Sequence, residues 1–210
     1  MKWNWVYIRD RKIKGTLSKY LGIKFRYPSE TSKVRRSVLL YCQGKGCDIG
    51  FGGDKISKTD CDGIDFPQPY AHAGTDRVDI PVDVIRQEIP VPDGYYDYVY
   101  TSHLIEDFHD TADALRKFTR ILKDGGILIL VFPDQPRYVA HCKRIGIEPN
   151  PYHVHADMGY AYMQKTMAFL PQIRFQELYQ SDGEIDYNVI MVLRVWKLSS
   201  GPGRVDNPDT

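Results

Sequence analysis

Along the middle of the chain, short apolar runs that end in glycine or an acidic residue alternate with amphipathic stretches, and the two patterns predict different elements. Residues 46–50, 62–66, 96–102 and 126–132 read as buried parallel strands, since each run is short and bounded by turn residues. Residues 111–123 place Ala112, Leu115, Phe118, Thr119 and Leu122 at helical spacing, with Gly125-Gly126 closing the run. Before the first strand, Pro28-Ser29-Glu30-Thr31 supplies turn and capping chemistry for a lead-in helix over 32–42. Strand, helix, strand alternation implies right-handed crossovers and a parallel sheet. Beyond Pro171 the period changes: residues 173–179 and 187–196 are strand-like around Ser181-Asp182-Gly183-Glu184, so the sheet is expected to finish in an antiparallel hairpin. The polar, Gly/Pro-rich residues 199–210 read as a flexible tail, and residues 1–198 as one domain with a lead-in over 1–44.

Composition narrows the function classes. With 210 residues, 42% of them hydrophobic, the chain suits one globular α/β domain with a sizeable core. A formal net charge of +1 supplies no basic field for nucleic acid, which is not expected as a partner. The apolar run at 127–132 is far shorter than the roughly 20 residues that span a bilayer, and the N-terminus lacks a signal-peptide core. No membrane span is expected, and the cytoplasm is the expected compartment. The four cysteines form no CxxC pair and are expected to be reduced.

Three stretches carry candidate chemistry. In the first, Asp48 precedes Gly50, Phe51, Gly52 and Gly53, where a strand runs into a loop whose glycines let backbone amides approach a ligand. The G-x-G-x-x-G spacing of a dinucleotide loop fails, because Lys55 stands at the third glycine position counted from Gly50 and Gly52; a NAD-dependent oxidoreductase is therefore a weaker alternative. In the second, Asp65 ends a strand beside Phe66, and it follows Asp48 by 65 − 48 = 17 residues, close to the ~20 of ribose-binding acids. In the third, a turn at Asp93-Gly94 feeds a strand ending in Thr101, Ser102 and His103. Ligands on such sheets sit outside the strand carboxyl ends.

In this order, DIGFGG (48–53), GIDF (63–66), IPVPDGYYDYVYTSHLIED (89–107) and LRKFTRILKDGGILILVFPD (115–134) resemble the class I S-adenosylmethionine-dependent methyltransferases, in particular the type 11 group. The resemblance implies an α/β, Rossmann-like methyltransferase fold: a mainly parallel seven-stranded sheet with a C-terminal antiparallel hairpin and helices on both faces. It implies S-adenosylmethionine as cofactor, with Asp48, Gly50, Phe51 and Gly52 at the methionine and ribose, Asp65 and Phe66 at the ribose, and Asp83 toward the adenine. Thr101, Ser102 and His103 would then face the sulfonium. Asp54, Asp107 and Asp124 depart from the family pattern. So does the interval 54–60, which is too short for an ordinary crossover helix and predicts a turn in its place.

Methyl transfer is an in-line displacement, in which the protein positions the nucleophile and removes a proton when the acceptor is a weak acid. His103, Asp134, His153 and His155 are the candidate bases, and His153 and His155 are expected to line the mouth of an acceptor pocket. His141-Cys142 and His153-Val154-His155 lack zinc-finger spacing, so no metal is expected. The acceptor is expected to be a small molecule, glycan or lipid. A degenerate fold that binds cofactor or partner without turnover is the alternative.

Overall fold

The computed structural model describes residues 28–68 and 73–198; the expected tail and most of the lead-in lie outside them. Helix α1 (Glu30–Val38) starts where Ser29 Oγ accepts the amide of Ser32 at 2.9 Å, and Thr31, Val34 and Val38 form its buried stripe. A short 3-10 turn, Leu39–Tyr41, follows. The strands are β1 (Gly46–Ile49), β2 (Cys61–Asp65), β3 (Ile80–Pro81), β4 (Tyr96–Ser102), β5 (Leu122–Pro133), β6 (Ile173–Asp182) and β7 (Asn188–Lys197). Helix α2 (Thr111–Ile121) precedes β5, with Asp110 capping it by accepting the Asp113 amide. Helices α3 (Gln135–Ile145) and α4 (Tyr160–Ala168) fill the interval before the final hairpin.

The seven strands form one sheet in the order β3-β2-β1-β4-β5-β7-β6. Ladders from β3 through β5 are parallel, while β7 runs antiparallel to both β5 and β6. Because side chains alternate across a pleated sheet, β4 and β5 divide between two cores. Tyr98, Tyr100, Ile129 and Val131 pack with Val34 and Val38 of α1; Val99, Leu128 and Leu130 pack with Leu115 and Phe118 of α2 and Met163 of α4. The sheet is therefore covered on both faces, and burying these side chains is the main stabilising contribution.

The start of β5 differs from the sequence pattern, while the short interval after β1 follows it. Strand β5 begins at Leu122 instead of 126, because Leu122 already pairs with Tyr96; the register then shifts before Tyr98, and Gly125-Gly126 sit inside the strand instead of closing a helix. No helix joins β1 to β2: residues 50–60 make turns and bends, as their length requires. The loop draws its order from α1 instead, where Arg35 donates to the carbonyls of Lys55 and Ile56 at 2.8 and 2.9 Å and pairs with Asp54 at 2.8 Å. All four cysteines are free thiols. Among the described residues no helix is long and apolar enough to cross a membrane.

Candidate active site

Strand β1 pairs with β2 on one side and β4 on the other, so the chain order reverses between β1 and β4. Crevices of open α/β sheets lie at such a reversal, outside the carboxyl ends of the strands. A cleft is present there, lined by the loop Gly50, Phe51 and Gly52, by Asp65 and Phe66 after β2, and by Ser102 and His103 ending β4. These seven candidates come together. Ser29, Glu30 and Thr31 of the α1 start close one side; Val82, Val84 and Ile85 supply an apolar wall, and Ala73, Leu104 and Asp107 complete the lining.

The loop is held open from behind. The Gly52 carbonyl accepts the amides of Ala73 and Gly74 at 2.8 and 3.2 Å, and that of Gly53 accepts the amide of Asp76 at 2.8 Å. A Cβ on Gly74 would lie 1.6 Å from the Gly53 carbonyl oxygen, so only glycine permits this backbone contact. Asp65 ties the loop to β2: one carboxylate oxygen accepts the Gly52 amide at 2.9 Å and the other the Phe66 amide at 2.8 Å. Burial raises its pKa, although these two amides oppose the rise. Each carboxylate oxygen has a second lone pair, so acceptor capacity remains on the cleft side.

Asp48 and Thr101 lie beneath the cleft and do not line it. Asp48 is fully buried; one oxygen accepts the Ile56 amide at 2.7 Å while the other has no partner, and burial pushes its pKa well up. Thr101 donates to the Ile49 carbonyl at 3.0 Å, fastening β4 to β1 at the reversal. Asp83 is also placed outside the cleft lining. Its carboxylate caps a turn by accepting the amides of Ile85 and Arg86, both at 3.2 Å, while its neighbours Val82, Val84 and Ile85 form the wall.

His103 is the most constrained residue in the cleft. Its φ of 53° is left-handed, a conformation that stores strain in a non-glycine residue and clusters at functional sites. Nε2 stands 2.8 Å from Oδ1 of Asn188, and Nδ1 3.3 Å from Oε1 of the fully buried Glu106. Asn188 is oriented by Glu30, to which its amide nitrogen donates at 3.1 Å. Both ring nitrogens therefore face oxygens, an arrangement that favours the doubly protonated ring. Burial alone would lower the His103 pKa, but Glu106, Glu30 and Asn188 outweigh it and lift the value to about 9. In Glu30 burial is likewise outweighed, by His103 and Lys33, which hold the carboxyl down at about 2. These contacts favour the protonated ring, a form that orients a group and does not take up a proton.

The other candidate bases lie elsewhere. Asp134 caps α3 by accepting the Arg137 amide at 3.0 Å. His153 is buried, with Nδ1 2.8 Å from Gln135 Oε1 and Nε2 3.5 Å from Glu106 Oε1, and burial lowers its pKa. His155 donates from Nε2 to the Phe108 carbonyl at 2.7 Å, and its Nδ1 is 3.1 Å from the Tyr162 hydroxyl. Neither histidine lines the cleft, contrary to the expected pocket mouth: their ring nitrogens are spent pinning the 150–158 segment to the core. Sequence reasoning missed Glu30, whose only signal was an acidic residue at a helix start, and Asn188, which tertiary pairing alone brings to His103. Among the described residues no cluster of three or more His, Cys, Asp or Glu could hold a metal.

A glycine-rich crevice at the reversal point of a mainly parallel sheet, with a final antiparallel pair, defines a Rossmann-like class I methyltransferase fold. Solved structures share it. An Archaeoglobus fulgidus S-adenosylmethionine-dependent methyltransferase superposes with a TM-score of 0.57 at 13% identity, covering 78% of this chain and 92% of its own. A Thermotoga maritima S-adenosylmethionine-dependent methyltransferase gives 0.58 at 18% identity, covering 90% and 99%. A Haloferax volcanii methyltransferase in complex with the Trm112 activator gives 0.55 at 13%, covering 90% and 96%. No curated protein matches the chain. Residues 28–178 match the model of the methyltransferase domain, and the chain belongs to that family, whose cofactor is S-adenosylmethionine.

Proposed function

We propose that this chain binds S-adenosylmethionine in the cleft between the β1 loop, Asp65 and His103, and catalyses transfer of its methyl group to an acceptor on the open side. The observation that carries the reading is the convergence of the glycine loop, an acid with spare lone pairs and a polar strand end on one crevice. The residues fit the cofactor. Asp65 offers oxygens to ribose hydroxyls, the loop at Gly50, Phe51 and Gly52 offers close backbone approach, and Phe66, Val82, Val84 and Ile85 form an apolar slot for a flat base. Asp48 and Thr101 support the loop and strand end from below.

When bound, the cofactor supplies a methyl group already activated on a sulfonium. The protein's part is alignment of the nucleophile and exclusion of water. Ser102 and the His103 imidazolium face that end of the cleft, and the cation is balanced there by Glu30 and Glu106. Such a histidine orients or polarises a group and does not deprotonate it. A second reading, binding without turnover, is favoured by the turn that replaces a crossover helix between β1 and β2. Calorimetry with S-adenosylhomocysteine tests the site and NADH serves as its control; production of S-adenosylhomocysteine across an acceptor screen separates transfer from binding alone. Heat on titration with NADH and none with S-adenosylhomocysteine would end the proposal.

A further inference from the structure

A second cleft lies between α3 and the β6–β7 turn, lined by Arg137, His141, Arg144, Gly183, Asp186 and Tyr187. Arg137, His141 and Arg144 recur at i, i+4 and i+7, so one face of α3 presents all three. Arg144 Nη2 donates to His141 Nδ1 at 2.8 Å. That contact leaves the His141 proton on Nε2, where it is a donor. Burial, then Arg144, holds the His141 pKa below its ordinary value, so the ring is neutral in this arrangement. Gly183, at φ 81°, lets the Arg137 guanidinium lie against the turn: a Cβ there would sit 2.3 Å from Nη1.

Most charges around the cleft are paired. Arg137 pairs with Asp182 and lies 3.9 Å from Asp134, and Lys33 sits between Glu30 at 2.9 Å and Asp186 at 3.1 Å. Among the described residues no carboxylate pairs with Arg144, whose one hydrogen bond goes to a neutral ring. An unpaired guanidinium thus stands beside an N–H donor and a second guanidinium held by Asp182, the donor array that phosphate-class anions select. Tyr187 joins this cleft to the first. Its ring packs against His141 at 5.0 Å and against His103 at 5.9 Å, and its hydroxyl donates to Glu30 at 3.1 Å.

We infer that the α3 cleft is an anion subsite that holds a phosphate-class group of the methyl acceptor, an assignment that rests on the proposed function. The test begins with inorganic phosphate alone, titrated at constant ionic strength and followed by the His141 ring resonances. Wild type should show saturable shifts, and Arg144→Gln and Arg137→Gln should each weaken phosphate at least tenfold while leaving S-adenosylhomocysteine affinity unchanged. A second arm compares methyl transfer to acceptors offered with and without a phosphate ester, where the ester should lower KM in wild type and lose that advantage in Arg144→Gln. Equal phosphate affinity in wild type and both variants would overturn the subsite. Phosphate binding with no preference for esterified acceptors would overturn the acceptor assignment. Failure of S-adenosylhomocysteine to bind would overturn the proposed function instead, and the phosphate titration, which needs no cofactor, reads the cleft independently.

Discussion

The side-chain oxygen of Asn188 stands 2.8 Å from Nε2 of His103, and the amide nitrogen of the same Asn188 donates to Glu30, so one residue of β7 links the ring that follows β4 to a carboxylate of α1. The pH behaviour follows. The folded pKa of His103, about 9, lies above the ordinary 6.5, so its contribution is fully present below pH 6.5 and is lost as pH rises through 9. By linkage that contribution is on the order of 3 kcal/mol. The urea midpoint of wild type should fall relative to His103→Gln over this window, and Asn188→Ala should shift the His103 titration, read by NMR, toward neutrality. A ring that titrates near 6.5 in wild type would refute the assignment.

Asp65 has two duties, and its removal should show both. Asp65→Ala leaves the Gly52 and Phe66 amides without their acceptor, which should cost about 1–3 kcal/mol of stability, seen in the urea midpoint. In the folded fraction S-adenosylhomocysteine affinity should fall at least tenfold by calorimetry. Undiminished affinity would move the ribose contact to another residue.

Much of this arrangement was legible in the order of residues. The strands at 46–49, 61–65 and 96–102 follow from apolar runs punctuated by glycine and aspartate, and Asp65 stood out because an acid ending such a strand meets the crevice. Strand β3 escaped because two residues, one of them proline, carry no period. The histidines misled for a physical reason: a His-x-His segment near strand ends reads alike whether its nitrogens face a cavity or a carbonyl, and Phe108 and Gln135 settle that only after folding. Asp83 is less legible still, since a turn cap and a ligand-binding acid have the same local sequence.

Asp48 should behave as a buried acid that resists ionisation. Its pKa lies well above 3.8 because of burial, so stability is greatest below that value and declines as pH rises toward the folded pKa. Asp48→Asn keeps an acceptor for the Ile56 amide and removes the charge. Its melting temperature should exceed that of wild type at pH 7, with the difference vanishing below about pH 3.8. A less stable variant at pH 7 would mean the ionised form is stabilised by the fold.

Gly74 should tolerate no side chain. The clash in Gly74→Ala is with backbone atoms of Gly53 and Asp54, which cannot rotate away, and overpacking of this kind costs about 1–3 kcal/mol. Because the displaced carbonyl belongs to the glycine loop, S-adenosylhomocysteine affinity should fall with the urea midpoint. An unchanged midpoint would mean that segment 73–76 can move off the loop freely.

The bond from Asp48 to the Ile56 amide and the grip of Arg35 on the carbonyls of Lys55 and Ile56 have a consequence for local opening. In a fold with a crossover helix those groups would be satisfied within the helix itself, and the segment could open and close on its own. Here they answer to β1 and to a helix that precedes it, so hydrogen exchange at the Ile56 amide reports its release from Asp48, and a variant that removes Arg35 should speed it if α1 holds the segment in place. Through Arg35 the segment after the glycine loop is tied to α1, so loosening the helix should loosen that side of the crevice with it.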